Sequence, residues 1–191
     1  CRFYTYINSM QDFLEAALEN HKPLLLLDRP NPNGFYVDGP VLDMKFKSGV
    51  GRQPIPIVYG MTMGEYAMMS LGQQWLSEKA NAINSYNIST QPTNDTPFHF
   101  LVIKCKNYTH KSKYVLPVKP SPNLPEIQSI YLYPTTCLFE GTALSEGRGT
   151  AKPFEYVGHP DLPNTMFSFT PKPNEGAKSS KHYGKVCYGW N

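Results

Sequence analysis

No stretch of this 191-residue chain approaches the roughly 20 apolar residues that a membrane-spanning helix requires, and the run PLLLLD at 23–28 is far too short. No secretory signal pattern opens it either. Charge of one sign is also missing. Lys and Arg number 18 against 15 Asp and Glu, the net charge is +3, and the basic residues are scattered. A nucleic-acid-binding surface needs a basic face or a recognised motif, and neither is visible, so no nucleic-acid partner is expected. The four cysteines (Cys1, Cys105, Cys137, Cys187) show no C-x-x-C spacing, which argues against a zinc ribbon or a thioredoxin-like centre. The five histidines (His21, His99, His110, His159, His182) show no H-E-x-x-H or i,i+4 pairing, so a helical zinc site is unsupported. There is no G-x-S-x-G nucleophile elbow. Gly49-Val50-Gly51 is not followed by Lys-Ser/Thr and makes no phosphate loop. The RPNPNG segment fails as a calcium loop, because Arg29 would be the first ligand and Pro40 would stand at position twelve. P-loop phosphotransferase, serine esterase and common metalloprotease readings fall away, and no metal or cofactor is expected. No internal repeat is present.

Proline (18), tyrosine (13) and glycine (14) are abundant. That mix suits long ordered loops and aromatic surfaces. Flat rings can cover the C–H face of a sugar, although most tyrosines simply pack with the hydroxyl wet. RFYTYI (2–7) reads as a strand. A helix capped by Ser9 is expected next, with Met10, Phe13, Leu14, Ala17 and Leu18 at helical spacing. LLLLD (24–28) reads as a parallel strand covered on both faces. Residues 1–28 therefore predict β-α-β, a piece of a doubly wound sheet. Residues 29–60 are loop-dominated, with PIPIVYG (54–60) a candidate edge strand. Thr62 and Glu65 stand at capping-box spacing and predict a helix to about Leu76, with Tyr66, Met69 and Trp75 as core contacts. The polar stretch 84–97 is the best linker candidate, FHFLVIKCK (98–106) the clearest strand, and the segment from 171 onward a surface excursion. The predicted fold is α/β: a partial Rossmann-like domain over 1–86, a linker at 87–97, and a smaller α+β domain over 98–191. The cysteines are either buried free thiols, the preferred reading, or include a Cys137–Cys187 disulfide. The sequons at Asn87, Asn94 and Asn107 are glycosylation acceptors in a eukaryotic secreted protein; here they are read as polar loop composition.

Two segments carry the chemistry. LLLLDRPNPNGFYVDGPVLD (24–43) and LFEGTALSEGRGTAKPFE (138–155) each run from an apolar stretch into a turn-rich loop of acids, amides and an arginine. Ligands of open α/β sheets bind at the carboxyl ends of strands, where Asp28, Arg29 and Asn31 would stand. Asx turns and X-Pro rigidity explain the same residues without a ligand. Glu140 and Glu146 flank a small-residue turn with Arg148 two residues on. Glycoside hydrolysis uses two acidic groups around one bond, with pKa values split by environment. Arg148 could grip an acidic substrate group, or form a structural ion pair with Glu140 that pins the loop. Tyr4 and Tyr6 are either core or a sugar platform.

The segments RFYTYI, LDRPNP, GPVLD, PIPIVYGMTMGEYA, PSPNLP and FEGTALSEGRGTAKPFEYVGHP, in this order, resemble the bacterial NamZ-type exo-β-N-acetylmuramidases over nearly the whole chain. The resemblance implies an exported enzyme, periplasmic or extracellular, that releases N-acetylmuramic acid from the non-reducing end of peptidoglycan fragments. It implies a Rossmann-like domain, a smaller C-terminal domain and a cleft between them. Tyr4, Tyr6, Asp28, Arg29 and Asn31 are expected as cleft residues. Glu140 or Glu146 is expected as a second acid or substrate orienter, and Arg148 as the partner of the muramic lactyl carboxylate. The family's upstream β-α units and its Pro-Glu-His-Gly motif have no counterpart here, so the chain is expected to begin midway through the first domain. A non-catalytic peptidoglycan-binding module is the alternative reading.

Overall fold

The computed structural model describes residues 5–84 and 100–191, so Tyr4 and the expected linker at 87–97 lie outside the described residues. Two compact units are present, Cys1–Tyr114 and Val115–Asn191. The architecture mixes helices with one small parallel and two small antiparallel sheets.

In the first unit, helix α1 spans Tyr6–Glu19. It starts earlier than the expected Ser9 cap, and its N-cap is Thr5 in a left-handed conformation (φ 60°) with no side-chain capping bond. The expected strand over 2–7 is thus replaced by helix at residues 6 and 7. The buried stripe is Ile7, Gln11, Leu14 and Leu18, a helical i, i+4, i+7 repeat that admits a glutamine. Gln11 is tolerated because its amide donates to the Glu15 carboxylate (2.9 Å) and accepts from Gln53 (3.1 Å). Phe13, expected in the core, is exposed.

Strand β1 (Leu24–Leu27) pairs in parallel with β4 (Phe100–Ile103), Leu24 opposite Phe100 and Leu27 opposite Ile103. The strand expected to open a second domain at residue 98 is therefore part of the first unit, and the compact units divide at 114/115 instead. Leu24, Leu26, Phe100 and Val102 face the cluster of Leu14, Leu18, Ala67 and Leu71. The opposite face is bare: Leu25 is 56% exposed and Leu27 68%. The leucine run is thus covered on one face only in this chain, not on both as expected.

Strands β2 (Asp38–Val41) and β3 (Pro56–Val58) form an antiparallel pair with an irregular register, which accommodates the prolines. Helix α2 (Met63–Gly72) is shorter than predicted, but its start is as read. Thr62 Oγ1 accepts from Glu65 N (3.2 Å) and Thr62 N donates to Glu65 Oε2 (2.9 Å). Helix α3 (Glu78–Ile83) follows, capped by Ser77. Tyr66 is fully buried beside Ile7, Ile55 and Tyr59, with Trp75 packed against that cluster.

In the second unit, α4 (Ile127–Thr136) leads into a 3₁₀ turn at Cys137–Gly141. Strands β5 (Val157–His159), β6 (Phe167–Phe169) and β7 (Cys187–Trp190) form an antiparallel sheet in the order β5-β7-β6. The last four-residue strand is thus the centre of a sheet, and the tail is no mere surface excursion. Pro171 and Cys187 are fully buried. Cys105, Cys137 and Cys187 are not in disulfides, so Cys137 and Cys187 are not bridged. Among the described residues, no helix is long and apolar enough to cross a membrane.

Candidate functional site

The first loop leaves β1 at Asp28, and the chain uses its polar groups internally. Asp28 Oδ2 accepts from Thr62 Oγ1 (2.6 Å) and Oδ1 from the Gly64 amide (2.9 Å). A carboxylate at the head of α2 suits the positive end of the helix dipole and satisfies an orphan N–H. Gly64 makes this approach possible, since a Cβ there would meet Asp28 Oδ2 at 3.1 Å and crowd Val102 still more closely. Asp28 also takes the Arg29 amide (2.9 Å), while the exposed Arg29 guanidinium forms no ion pair among the described residues. Asn31 is buried. Its Nδ2 donates to Met61 O (2.9 Å), and its Oδ1 accepts from Asn33 N (3.0 Å) in an Asx turn. Tyr108 clamps its backbone, the hydroxyl donating to Asn31 O and accepting from Asn31 N, both at 3.1 Å. Burial pushes the Tyr108 phenol up. Tyr6, expected on a strand face, stands on the first turn of α1 and is 53% exposed.

One residue at this loop, His110, carried no sequence signal. His110 Nδ1 lies 2.9 Å from Gly34 O, and Nε2 lies 2.9 Å from Glu65 Oε1. Both partners are acceptors, so both ring nitrogens must donate, which favours the imidazolium. The Gly34 carbonyl first, and then the Glu65 carboxylate, raise the His110 pKa above its ordinary value. Glu65, legible only as a cap, therefore also ties α2 to the loop. Glu65 and His110 are 45 residues apart, a separation that no local motif records.

In the second unit Glu140, Glu146 and Arg148 do come together. Arg148 Nη2 pairs with Glu140 Oε1, and Arg148 Nε lies 3.7 Å from Glu146 Oε1. Glu146 is nearly fully buried, with 3% exposed. The partner missed in the sequence is Lys181, whose Nζ donates to Glu146 Oε2 (3.1 Å) and to the carbonyls of Phe139 (2.9 Å), Glu140 (3.0 Å) and Leu144 (3.1 Å). Two carboxylates face two cations, so the buried charge is balanced. The Arg148 guanidinium also stands over the Phe154 ring, 5.1 Å from its centroid. The turn itself is fixed by Gly147 (φ 78°) and Gly149 (φ 81°) and by the Ser145–Gly158 backbone pair. The ion-pair reading of Glu140 and Arg148 is thus realised: their charges pin the loop.

Asn31 and Arg148 belong to different compact units. Among the described residues, no grouping of three His, Cys, Asp or Glu side chains could hold a metal.

Comparison with known proteins gives the family. The model described as "Exo-beta-N-acetylmuramidase NamZ, N-terminal" matches residues 1–128, and its C-terminal counterpart matches 131–191. The peptidoglycan beta-N-acetylmuramidase NamZ of Bacillus subtilis (strain 168) is 40% identical over 210 residues, covering 98% of this chain and 44% of that protein. Among solved structures, a DUF1343 family protein of Bacteroides fragilis NCTC 9343 superposes with a TM-score of 0.87 at 50% identity, over 100% of this chain and 49% of that one. A second DUF1343 protein of the same organism gives a TM-score of 0.79 at 26% identity, over 100% of this chain and 50% of that one. The chain spans about half the length of these relatives. Residues 1–128 and 131–191 match its two domain models in order, and on that ground the chain belongs to the NamZ exo-β-N-acetylmuramidase family.

Proposed function

We propose that the protein to which this chain belongs is an exo-β-N-acetylmuramidase that releases N-acetylmuramic acid from the non-reducing end of peptidoglycan fragments. The observation that carries this reading is the match to both NamZ models in their order, backed by a relative bearing the muramidase name. An exported location, periplasmic or extracellular, goes with a cell-wall substrate. The parallel β1–β4 pair with helices on one face is read as part of a doubly wound, Rossmann-like layer, and residues 115–191 as the smaller α+β domain. Glu140 and Glu146 are the proposed acidic pair of the second unit. Each is already committed to a cation, which supports the role of orienting loop and sugar. Tyr4, Tyr6, Asp28, Arg29, Asn31 and Arg148 are proposed as substrate-binding residues or supports of the binding loops. Among the described members, Arg29 and Tyr6 are exposed and are the ones offered to a ligand.

A second reading, a peptidoglycan-binding module without chemistry, is supported by the internal commitment of Asp28, Asn31, Glu140 and Glu146. One experiment separates the two. A chromogenic β-N-acetylmuramide is incubated with this chain and with a full-length family member, side by side. Release of chromophore by the full-length protein is expected, and its absence from both refutes the enzymatic reading. Full turnover by both E140Q and E146Q in the full-length protein refutes the acidic-pair assignment.

A further inference from the structure

Past the end of the parallel β1–β4 pair the two chains keep running side by side, and side chains take over from the backbone ladder. The last backbone rung is Asp28 N to Ile103 O (3.0 Å). After it Cys105 Sγ donates to Asp28 O (3.1 Å), Tyr108 Oη bonds Asn31 N and O (3.1 Å each), and His110 Nδ1 meets Gly34 O (2.9 Å). Residues 105–110 are thus a strap laid along the loop 28–34. The fit is close, since a Cβ on Gly34 would meet Tyr108 Oη at 2.5 Å and Asn31 O at 2.9 Å.

His110 also closes a circuit. Its Nε2 meets Glu65 Oε1 (2.9 Å), Glu65 Oε2 accepts from Thr62 N (2.9 Å), and Thr62 Oγ1 donates to Asp28 Oδ2 (2.6 Å), back at the root of the loop. Loop, strap and the head of α2 are therefore joined by one ring of hydrogen bonds, all inside the first compact unit. Burial pushes the Cys105 thiol and the Tyr108 phenol up, so those two rungs keep their protons at neutral pH. The His110 rung is different. Its side chain is 51% exposed, so solvent protons reach it. Only the imidazolium donates at both nitrogens; the neutral ring has one N–H and turns a lone pair toward one of its two acceptors. Asp28 is spent on Thr62 Oγ1 and the Gly64 amide, so Glu65 is the carboxylate that faces the ring among the described residues. The other charged side chains on the loop and the strap are cations: Arg29, Lys106, Lys111 and Lys113, the last standing over the Phe35 ring at 5.6 Å.

We propose that His110 is a proton-operated latch: charged, it pins loop 28–34 between the strap and α2, and neutral, it frees the Gly34 end of that loop. Gly34 is the end released because the ionised Glu65 competes better for the single remaining N–H. The Gly34 carbonyl and the Glu65 carboxylate raise His110 above its ordinary 6.5, so the latch is fully closed below that value and opens as pH rises through the higher folded value. Control of ligand binding by the latch rests on the reading of Arg29 as ligand-facing; the latch itself does not.

The test is NMR of this chain, without sugar, between about pH 5 and pH 9, in wild type, H110R and E65Q. The His110 ring nitrogens should report an imidazolium at the acid end, and the Gly34 and Phe35 amide shifts should move with the ring's midpoint. Protection of the Gly34 amide, corrected for intrinsic exchange, should fall about tenfold over the same step, the size of one charge-assisted hydrogen bond. H110R donates to both acceptors at every pH and should remove the step. E65Q should lower the ring's midpoint. The proposal is overturned if the ring titrates while Gly34 and Phe35 do not, if H110R shows the same step, or if E65Q leaves the midpoint where it was. The wild-type and E65Q arms decide the matter even if H110R does not fold. None of these readouts involves sugar release, so the latch and the muramidase reading fail separately.

Discussion

Lys181 offers the sharpest quantitative check of the charge cluster. Its ammonium has three protons and four acceptors within 3.1 Å: three carbonyls and Glu146 Oε2. Lys181→Met keeps the stem and removes the charge. The Glu146 carboxylate, 4% exposed, is then left facing only Arg148 Nε at 3.7 Å. Breaking a fully buried pair costs about 3–5 kcal/mol, and a hydrogen bond to a charged group is worth about 1.5–3. The Lys181 side chain is 31% exposed, so water reaches part of what it vacates, and the cost falls to about 2–3 kcal/mol. Glu146→Gln relieves the stranded charge. The double variant K181M/E146Q should therefore recover about 1–2 kcal/mol of that loss. Urea unfolding, followed by hydrogen exchange at the Phe154 amide that bonds Glu146 O, reads the effect where it arises. A K181M cost below about 0.5 kcal/mol, or strict additivity in the double variant, refutes the view that Lys181 neutralises Glu146.

Further outcomes follow from the first unit and the exposed sheet. The folded-state pKa of His110 is raised, so its stabilisation is complete below the unfolded value near 6.5 and is lost as pH rises through the higher folded value. Urea midpoints should fall across that window in wild type and not in H110Q, with the His110 ring followed by NMR. Asn31→Ala strips the bonds to Met61 and Asn33 inside the protein and should cost about 1–3 kcal/mol by thermal unfolding; a loss below about 0.5 kcal/mol contradicts the Asx-turn role. Replacing Leu25 and Leu27 with serine removes apolar surface already exposed. The pair should cost under about 1 kcal/mol while reducing self-association in sedimentation. Burial pushes both the Cys187 and the Cys105 thiols up, but Cys187 is fully buried and Cys105 only partly, so native alkylation should be far slower at Cys187 for want of access.

Local chemistry made several features legible without coordinates. The Thr62–Glu65 capping box needs only four consecutive residues, and it forms as read. The two clearest apolar runs became β1 and β4, because short β-branched or leucine-rich segments bury well only as strands or short helices. The Glu140–Arg148 pair sits eight residues apart on one turn, so proximity in sequence already brought it together.

What required the tertiary structure is everything set by chain closure over long separations. RFYTYI alternates like a strand, yet Tyr6 and Ile7 are helical because Ile7 continues the stripe of Gln11, Leu14 and Leu18. Gln11 counts as polar in any pattern, and it is at home in the core because Gln53, 42 residues away, and the Trp75 carbonyl, 64 away, join Glu15 in satisfying its amide. His110 finds Glu65 across 45 residues, and Lys181 finds Glu146 across 35. The polar, proline-rich tail carries no sheet signal, yet Cys187–Trp190 becomes the central strand of β5-β7-β6. Periodicity and capping are properties of neighbouring residues and can be read along the chain. Partner choice between distant groups is decided by which surfaces the packed backbone brings within hydrogen-bonding distance, and that information is not local.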